Sequence, residues 1–197
     1  MPKPPLKGFG LLLAPGASAD RNQSALVRID EAAAGLGATV TRIDFPYRLA
    51  GRRAPDREPV LVAAVREAAA ELSHGKPAVR PERVALGGRS MGGRMCSIAV
   101  ADGLPAWALV LVSYPLHPPG RPDRLRTAHL PGITVPCLFV SGTRDAFGTP
   151  AELEAATALV PAPVTHVWLD GKDHSLRGCD AQVAEAVAAW LVALARS

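Results

Sequence analysis

RVALGGRSMGGRMCSIAV, residues 83–100, changes character at one position. Up to Gly88 it is a short apolar run of strand length, and from Met91 a run of small and apolar residues suited to a helix. Ser90 stands at the junction, with Gly88 before it and Gly92 after it. A strand that turns this sharply into a helix strains the residue at the turn and brings the two elements into close contact on either side. Glycine fits the flanking positions, and the turn then holds a hydroxyl up from the strand end. It also aims the backbone N–H of Met91, at the helix start, into the space beside that hydroxyl. The G-x-S-x-G pattern is weak alone; the strand before it and the helix after it give it weight. The competing reading is a glycine-rich connection with an idle serine, or a phosphate-binding turn.

The rest of the chain alternates in the same way. Apolar runs at 9–14, 39–45, 83–88, 107–114, 135–142 and 164–170 have strand length. Between them lie helical patterns. Leu26, Ile29, Ala33 and Leu36 share one helical face, as do Leu61, Val65, Ala68 and Leu72. A closing stripe runs through Val183, Val187, Trp190, Leu191 and Leu194. Six apolar runs separated by helices predict an α/β fold, with six parallel strands covered by helices on both faces. No repeat, low-complexity tract or interior linker divides residues 1–197, so one domain is expected.

Composition agrees with a folded chain. Of 197 residues, 48% are apolar and 20% charged, with a formal net charge of +4. Basic residues are interleaved with acids and aromatics reach only 5%, so nucleic acid is not the expected partner. No apolar run is long enough to span a membrane. Cys96, Cys137 and Cys179 are an odd count without C-x-x-C spacing. They fit free buried thiols in a reducing, cytoplasmic setting rather than a disulfide frame or a zinc site. The start, MPKPPLKGFGLLLAPGASAD, has the outline of a secretory signal. Its apolar run is short and is broken by Pro15 and Gly16, which argues instead for a core strand.

A serine raised at a strand end becomes a nucleophile when a base and an orienting acid reach it. In this architecture they follow in the order acid, then histidine. TRDAFG after the fifth run offers Asp145, and GKDHSL after the sixth offers His174. Asp170 is an alternative acid, whereas Asp173 is adjacent to His174 and should point away. His74 ends a helix on the opposite edge, His117 and His129 lie after the fourth run, and His166 is inside a strand. A second oxyanion donor is expected from the loop after the first strand, APGASADRN, where Gly16 allows close approach and Ala17 N–H is the candidate.

GGRSMGGR, YPLHPPGRPDRLRTAHL, PCLFVSGTRDAFG and DGKDHSL together resemble the α/β-hydrolases, most closely the small dienelactone-hydrolase-like branch. Within it the chain is similar to bacterial hydrolases related to a scaffold subunit of the non-specific-lethal acetyltransferase complex. The resemblance extends from Phe9 to the last helix. It implies Ser90 as nucleophile, Asp145 as acid and His174 as base, with no metal and no cofactor. This chain has Pro15 where many relatives have a histidine, and Ser90 where dienelactone hydrolases have cysteine, so their substrate is not carried over. The expectation is a serine hydrolase of small esters or thioesters. A catalytically silent interaction module, or a peptidase or acyltransferase with the same triad, is the alternative. Whether the chain is a monomer or a dimer is left open.

Two expectations concern the rim. Arg48, Arg52, Arg53, Arg57, Arg121, Arg124 and Arg126 follow strand ends, and Arg89 sits in the elbow. They would favour anionic substrates or an acidic partner, unless they are solvated loop charges paired with Asp56, Glu58 and Asp123. The segment from Tyr114 to Val135 is too short for a packed cap and carries a helical turn or two at most. An open site with Arg89, Tyr114, Leu116 and Phe147 as candidate substrate contacts, and short acyl groups as substrates, is therefore expected.

Overall fold

The computed structural model describes residues 3–75 and 77–197. The apolar runs become strands β1 (Gly10–Ala14), β2 (Thr39–Arg42), β3 (Val84–Arg89), β4 (Ala108–Val112), β5 (Cys137–Gly142) and β6 (Val164–Leu169). All pair in parallel, in the order β2-β1-β3-β4-β5-β6. The helices are α1 (Ser24–Gly35), α2 (Pro46–Leu49), α3 (Glu58–His74), α4 (Met91–Ala101), α5 (Pro150–Thr157) and α6 (Asp180–Leu194).

Alternation along each strand divides the core in two. Leu11 and Leu13 of β1 face α1 and α6, joining Leu26, Ile29, Val183 and Val187. Leu12 and Ala14 face the other way, joining Leu61 and Val65 of α3, Met95 of α4 and Leu153 of α5. Both faces are covered, so the strands read as unbroken apolar runs rather than alternating ones. The N-terminal run is accordingly an inner strand, with Leu12 and Leu13 fully buried between β2 and β3.

Several strands are shorter than their apolar runs. The second ends at Arg42, and residues 43–45 lead into α2, a turn whose Tyr47 is buried. The fourth ends at Val112, where Ser113 takes a φ of 50°. The fifth starts only after Pro136, which has no N–H to give the ladder. Between β4 and β5 the only helical structure among the described residues is a 3₁₀ turn at Leu130–Gly132, so no helical cap lies over the site. None of the described helices is long and apolar enough to cross a membrane.

Strand order reverses at β1, which has β2 on one side and β3 on the other. Such a switch point opens a crevice at the carboxyl ends of the strands, because the connections leave to opposite faces. The loops after β1 and β3 meet there.

Candidate active site

The turn between β3 and α4 is built as tightly as its glycines suggest. Ser90 has φ 51° and ψ −118°, a conformation that costs an L-residue of order 1–3 kcal/mol. A Cβ at Gly88 or at Gly92 would overlap the carbonyl oxygen of Ala14, so β1, β3 and α4 close on one another only because both positions lack a side chain. The Ser90 N–H donates to Val112 O at 2.8 Å, fixing the serine to β4.

Asp145 follows β5 and His174 follows β6, and the two loops are joined. Arg144 N–H donates to Lys172 O at 2.8 Å, and Thr143 N–H to Leu169 O at 3.1 Å. The Thr143 hydroxyl donates to Asp170 at 3.1 Å and accepts from Gly171 N–H at 2.8 Å. Asp170, the alternative acid, is thereby engaged away from His174. Asp173 turns back to accept from the N–H and hydroxyl of Ser175, at 2.9 and 2.6 Å.

The imidazole of His174 stands between Ser90 and Asp145. Its Nε2 is 2.9 Å from Ser90 Oγ, and its Nδ1 is 3.0 and 2.8 Å from Asp145 Oδ1 and Oδ2. An ionised carboxylate only accepts, so Nδ1 carries the proton and Nε2 is left to accept from the serine hydroxyl. Asp145 is 2% exposed and also accepts Phe147 N–H at 2.8 Å, so its charge is buried but hydrogen-bonded. The Phe147 ring lies against the imidazole, centroids 4.0 Å apart and planes 29° from parallel.

The loop after β1 is pinned from both sides. Gly16 N–H donates to Gln23 Oε1 at 3.1 Å, and the Tyr47 hydroxyl donates to Ala17 O at 2.7 Å. These bonds leave the N–H of Ala17 without a protein partner among the described residues, and the same holds for Met91 at the first position of α4. Both residues line the cleft that holds Ser90.

That cleft has a volume of about 320 Å³. Met91 and Met95 from α4, Leu61 from α3, Pro115 and Phe147 form its apolar walls, and Asp56, Glu58, Arg94 and Arg126 bring charge to it. Of the candidate substrate contacts, Phe147 lies in the wall. Tyr114 and Leu116 do not: they are 2% and 0% exposed and belong to the core. The chain turns at Ser113, so Pro115, between them, faces the cleft while its neighbours point inward. Tyr114 meets Phe139 edge to face, and its hydroxyl lies 3.0 Å from His129 Nε2. Burial pushes that hydroxyl up to about 12.

Arg89 is not among the residues that line the cleft. It donates to the carbonyl oxygen of His174 at 2.7 Å, so it holds the histidine loop against the elbow. Burial lowers its guanidinium below the ordinary arginine value. Three of the seven rim arginines are paired, Arg52 with Asp56 at 2.7 Å, Arg121 with Asp123 at 3.3 Å and Arg48 with Asp20 at 3.8 Å. Sequence reasoning missed Arg94, although its spacing from Ser90 on one helix face was a usable signal. It also missed Tyr47, Pro55 and Leu61, which reach the site only through tertiary packing.

Cys96, Cys137 and Cys179 are free and buried. Cys96 donates to Gly87 O, and burial pushes its thiol up to about 12. It lies beneath the elbow as a packing group, not as a thiolate.

The alpha/beta hydrolase domain profile matches residues 7–193. Among solved structures, the chain is similar to a dienelactone hydrolase from Anabaena variabilis, at 20% identity over 93% of this chain and 85% of that one, with a TM-score of 0.74. It is similar to an alpha-beta serine hydrolase homologue from Coxiella burnetii, at 18% identity over 93% and 85% of the two chains, with a TM-score of 0.77. A serine hydrolase without lid from Xanthomonas campestris matches at 16% identity over 92% and 79%, with a TM-score of 0.73. At these identities the likeness is one of fold.

Proposed function

We propose, because the chain belongs to the alpha/beta hydrolase domain family, that it is a serine hydrolase of small esters or thioesters, with Ser90, His174 and Asp145 as its triad. The observation that supports this reading is the unbroken relay from Asp145 through His174 to a strained, raised Ser90.

Ser90 Oγ attacks the carbonyl carbon as its proton passes to His174 Nε2. Asp145 keeps the imidazole in the right tautomer and stabilises the imidazolium that forms. The N–H groups of Met91 and Ala17 donate to the oxyanion of the tetrahedral intermediate. His174 then gives its proton to the leaving oxygen or sulfur, and an acyl-enzyme remains. Water, deprotonated by His174, attacks the acyl carbon, and the acid leaves as Ser90 regains its proton. Each step uses groups of this chain alone. We also infer that residues 1–197 work as one domain in a reducing, cytoplasmic setting, on account of the three free buried thiols.

A fluorophosphonate probe with peptide mapping tests the reading: the adduct is expected on Ser90. Ser90→Ala and His174→Ala should each lower kcat on an activated ester by about 10⁶-fold, and Asp145→Asn by somewhat less. Activity retained in Ser90→Ala overturns the assignment. With neither adduct nor turnover, the silent interaction module takes its place, in keeping with the resemblance to the acetyltransferase-complex scaffold.

A further inference from the structure

The charged groups of the cleft are not evenly compensated. Asp56 is held by Arg52, and Arg94 donates to Glu58 Oε2 at 2.5 Å. Arg126 also lines the cleft, and the one side-chain hydrogen bond it makes among the described residues, from Nη1, goes to the neutral carbonyl oxygen of Pro115 at 3.2 Å. No carboxylate among the described residues makes an ion pair with Arg126. The charge is half-buried and shares the cleft with a second guanidinium, that of Arg94. Burial, then the Arg94 charge, push its guanidinium below the ordinary arginine value, and the Glu58 carboxylate, already bonded to Arg94, opposes this only in part. A partly desolvated cation without an ion pair of its own gains when an anion joins it.

The second guanidinium is also incompletely used. Nε of Arg94 is buried with no hydrogen-bond partner. Arg94 sits one helical turn after Ser90, its backbone N–H donating to Ser90 O at 3.1 Å. It shares with Met91 and Met95 the face of α4 that lines the cleft. The elbow therefore fixes one guanidinium close to the nucleophile, and the loop after β4 brings another to the same space.

We propose that Arg126, with Arg94 beside it, forms a carboxylate subsite, and that the preferred substrates are esters or thioesters whose acyl group ends in a carboxylate. The planar fork of a guanidinium matches a carboxylate with two parallel hydrogen bonds, which a methyl group cannot replace. The volume of about 320 Å³ suits a short dicarboxylic half-ester, its carbonyl at Ser90 and its far end at Arg126. This deepens the hydrolase reading and rests on it for the position of the scissile carbonyl.

The test compares kcat/KM for p-nitrophenyl hemiglutarate and p-nitrophenyl pentanoate, which differ in a terminal carboxylate against a methyl. At low salt the anionic ester should be preferred by about tenfold or more. The preference should shrink in high salt, a readout that needs no variant. In Arg126→Gln the ratio should fall to about one, and in Arg126→Glu below one. A ratio of one or less in the natural protein, or a preference that Arg126→Gln leaves intact, overturns the proposal. If neither ester is cleaved and no probe adduct forms, the hydrolase reading fails by itself. Calorimetric titration with glutarate then still decides the subsite: binding lost in Arg126→Gln supports it, and no binding overturns it.

Discussion

Ser90 keeps its strained backbone because its surroundings leave no alternative. Its N–H is tied to β4, and Gly88 and Gly92 press against the Ala14 carbonyl on either side. The neighbouring loop is held as firmly, and Tyr47 is the residue that holds it. Its hydroxyl touches no reacting atom, so it acts through the position of Ala17. Tyr47→Phe removes one hydrogen bond without changing shape. It should lower kcat by about three- to tenfold with KM little changed, since the oxyanion exists only along the reaction path. An equal loss in KM alone would instead mark Tyr47 as part of ground-state binding. At this scale the sequence was readable where a signal is local. Ser90, Asp145 and His174 each follow a recognisable strand, so their arrival on one edge follows from topology. Arg89 shows the limit of a local signal. Its place in the elbow is local, but its partner, the His174 carbonyl, lies in a loop brought there by β6.

Among the elements, the segment between β4 and β5 carries a half-buried histidine with a pH consequence. His129 Nε2 is 2.9 Å from Ser97 Oγ and 3.0 Å from the Tyr114 hydroxyl, against α4. Burial, then the nearby Arg94 charge, pushes His129 down from its ordinary 6.5 to about 4, while Glu58 and Asp102 oppose this weakly. The folded chain thus holds His129 neutral where the unfolded chain would protonate it. The stabilisation is complete above pH 6.5, is lost as pH falls from 6.5 towards 4, and changes no further below that. After discounting for its partial exposure, it amounts to about 2 kcal/mol. Denaturant melts across this range should show a smaller loss in His129→Gln, which keeps a hydrogen-bonding group but does not titrate. The helices α1, α3, α4 and α6 were legible because a 3.6-residue period needs several turns to declare itself. The four residues of α2 are too few for any period, and only its tertiary contacts explain it.

At the scale of the whole molecule, strand order was not written in any one segment. Six apolar runs implied a parallel sheet, but β1 lies between β2 and β3 because α1, which joins β1 to β2, and α3, which joins β2 to β3, pack on opposite faces. With no helical cap between β4 and β5 among the described residues, little apolar surface is available to enclose a long acyl chain. Each enclosed methylene would add about 0.8 kcal/mol, so a tunnel would show kcat/KM rising steadily with chain length. Along a neutral p-nitrophenyl ester series from acetate to palmitate, the optimum should fall at about two to four carbons. An optimum at about eight or longer would mean a channel. One feature of the fold also bears on how it is made. The apolar face of α1, with Leu26, Ile29 and Ala33, is covered by α6, residues Asp180–Leu194. On the ribosome, α1 emerges long before its cover, and Ser90 long before the loops after β5 and β6 that carry Asp145 and His174. Through most of synthesis this face is open to chaperones, and Ser90 has no base beside it. The contact between Ser90 and His174 thus forms only when the far end of the chain has closed the sheet.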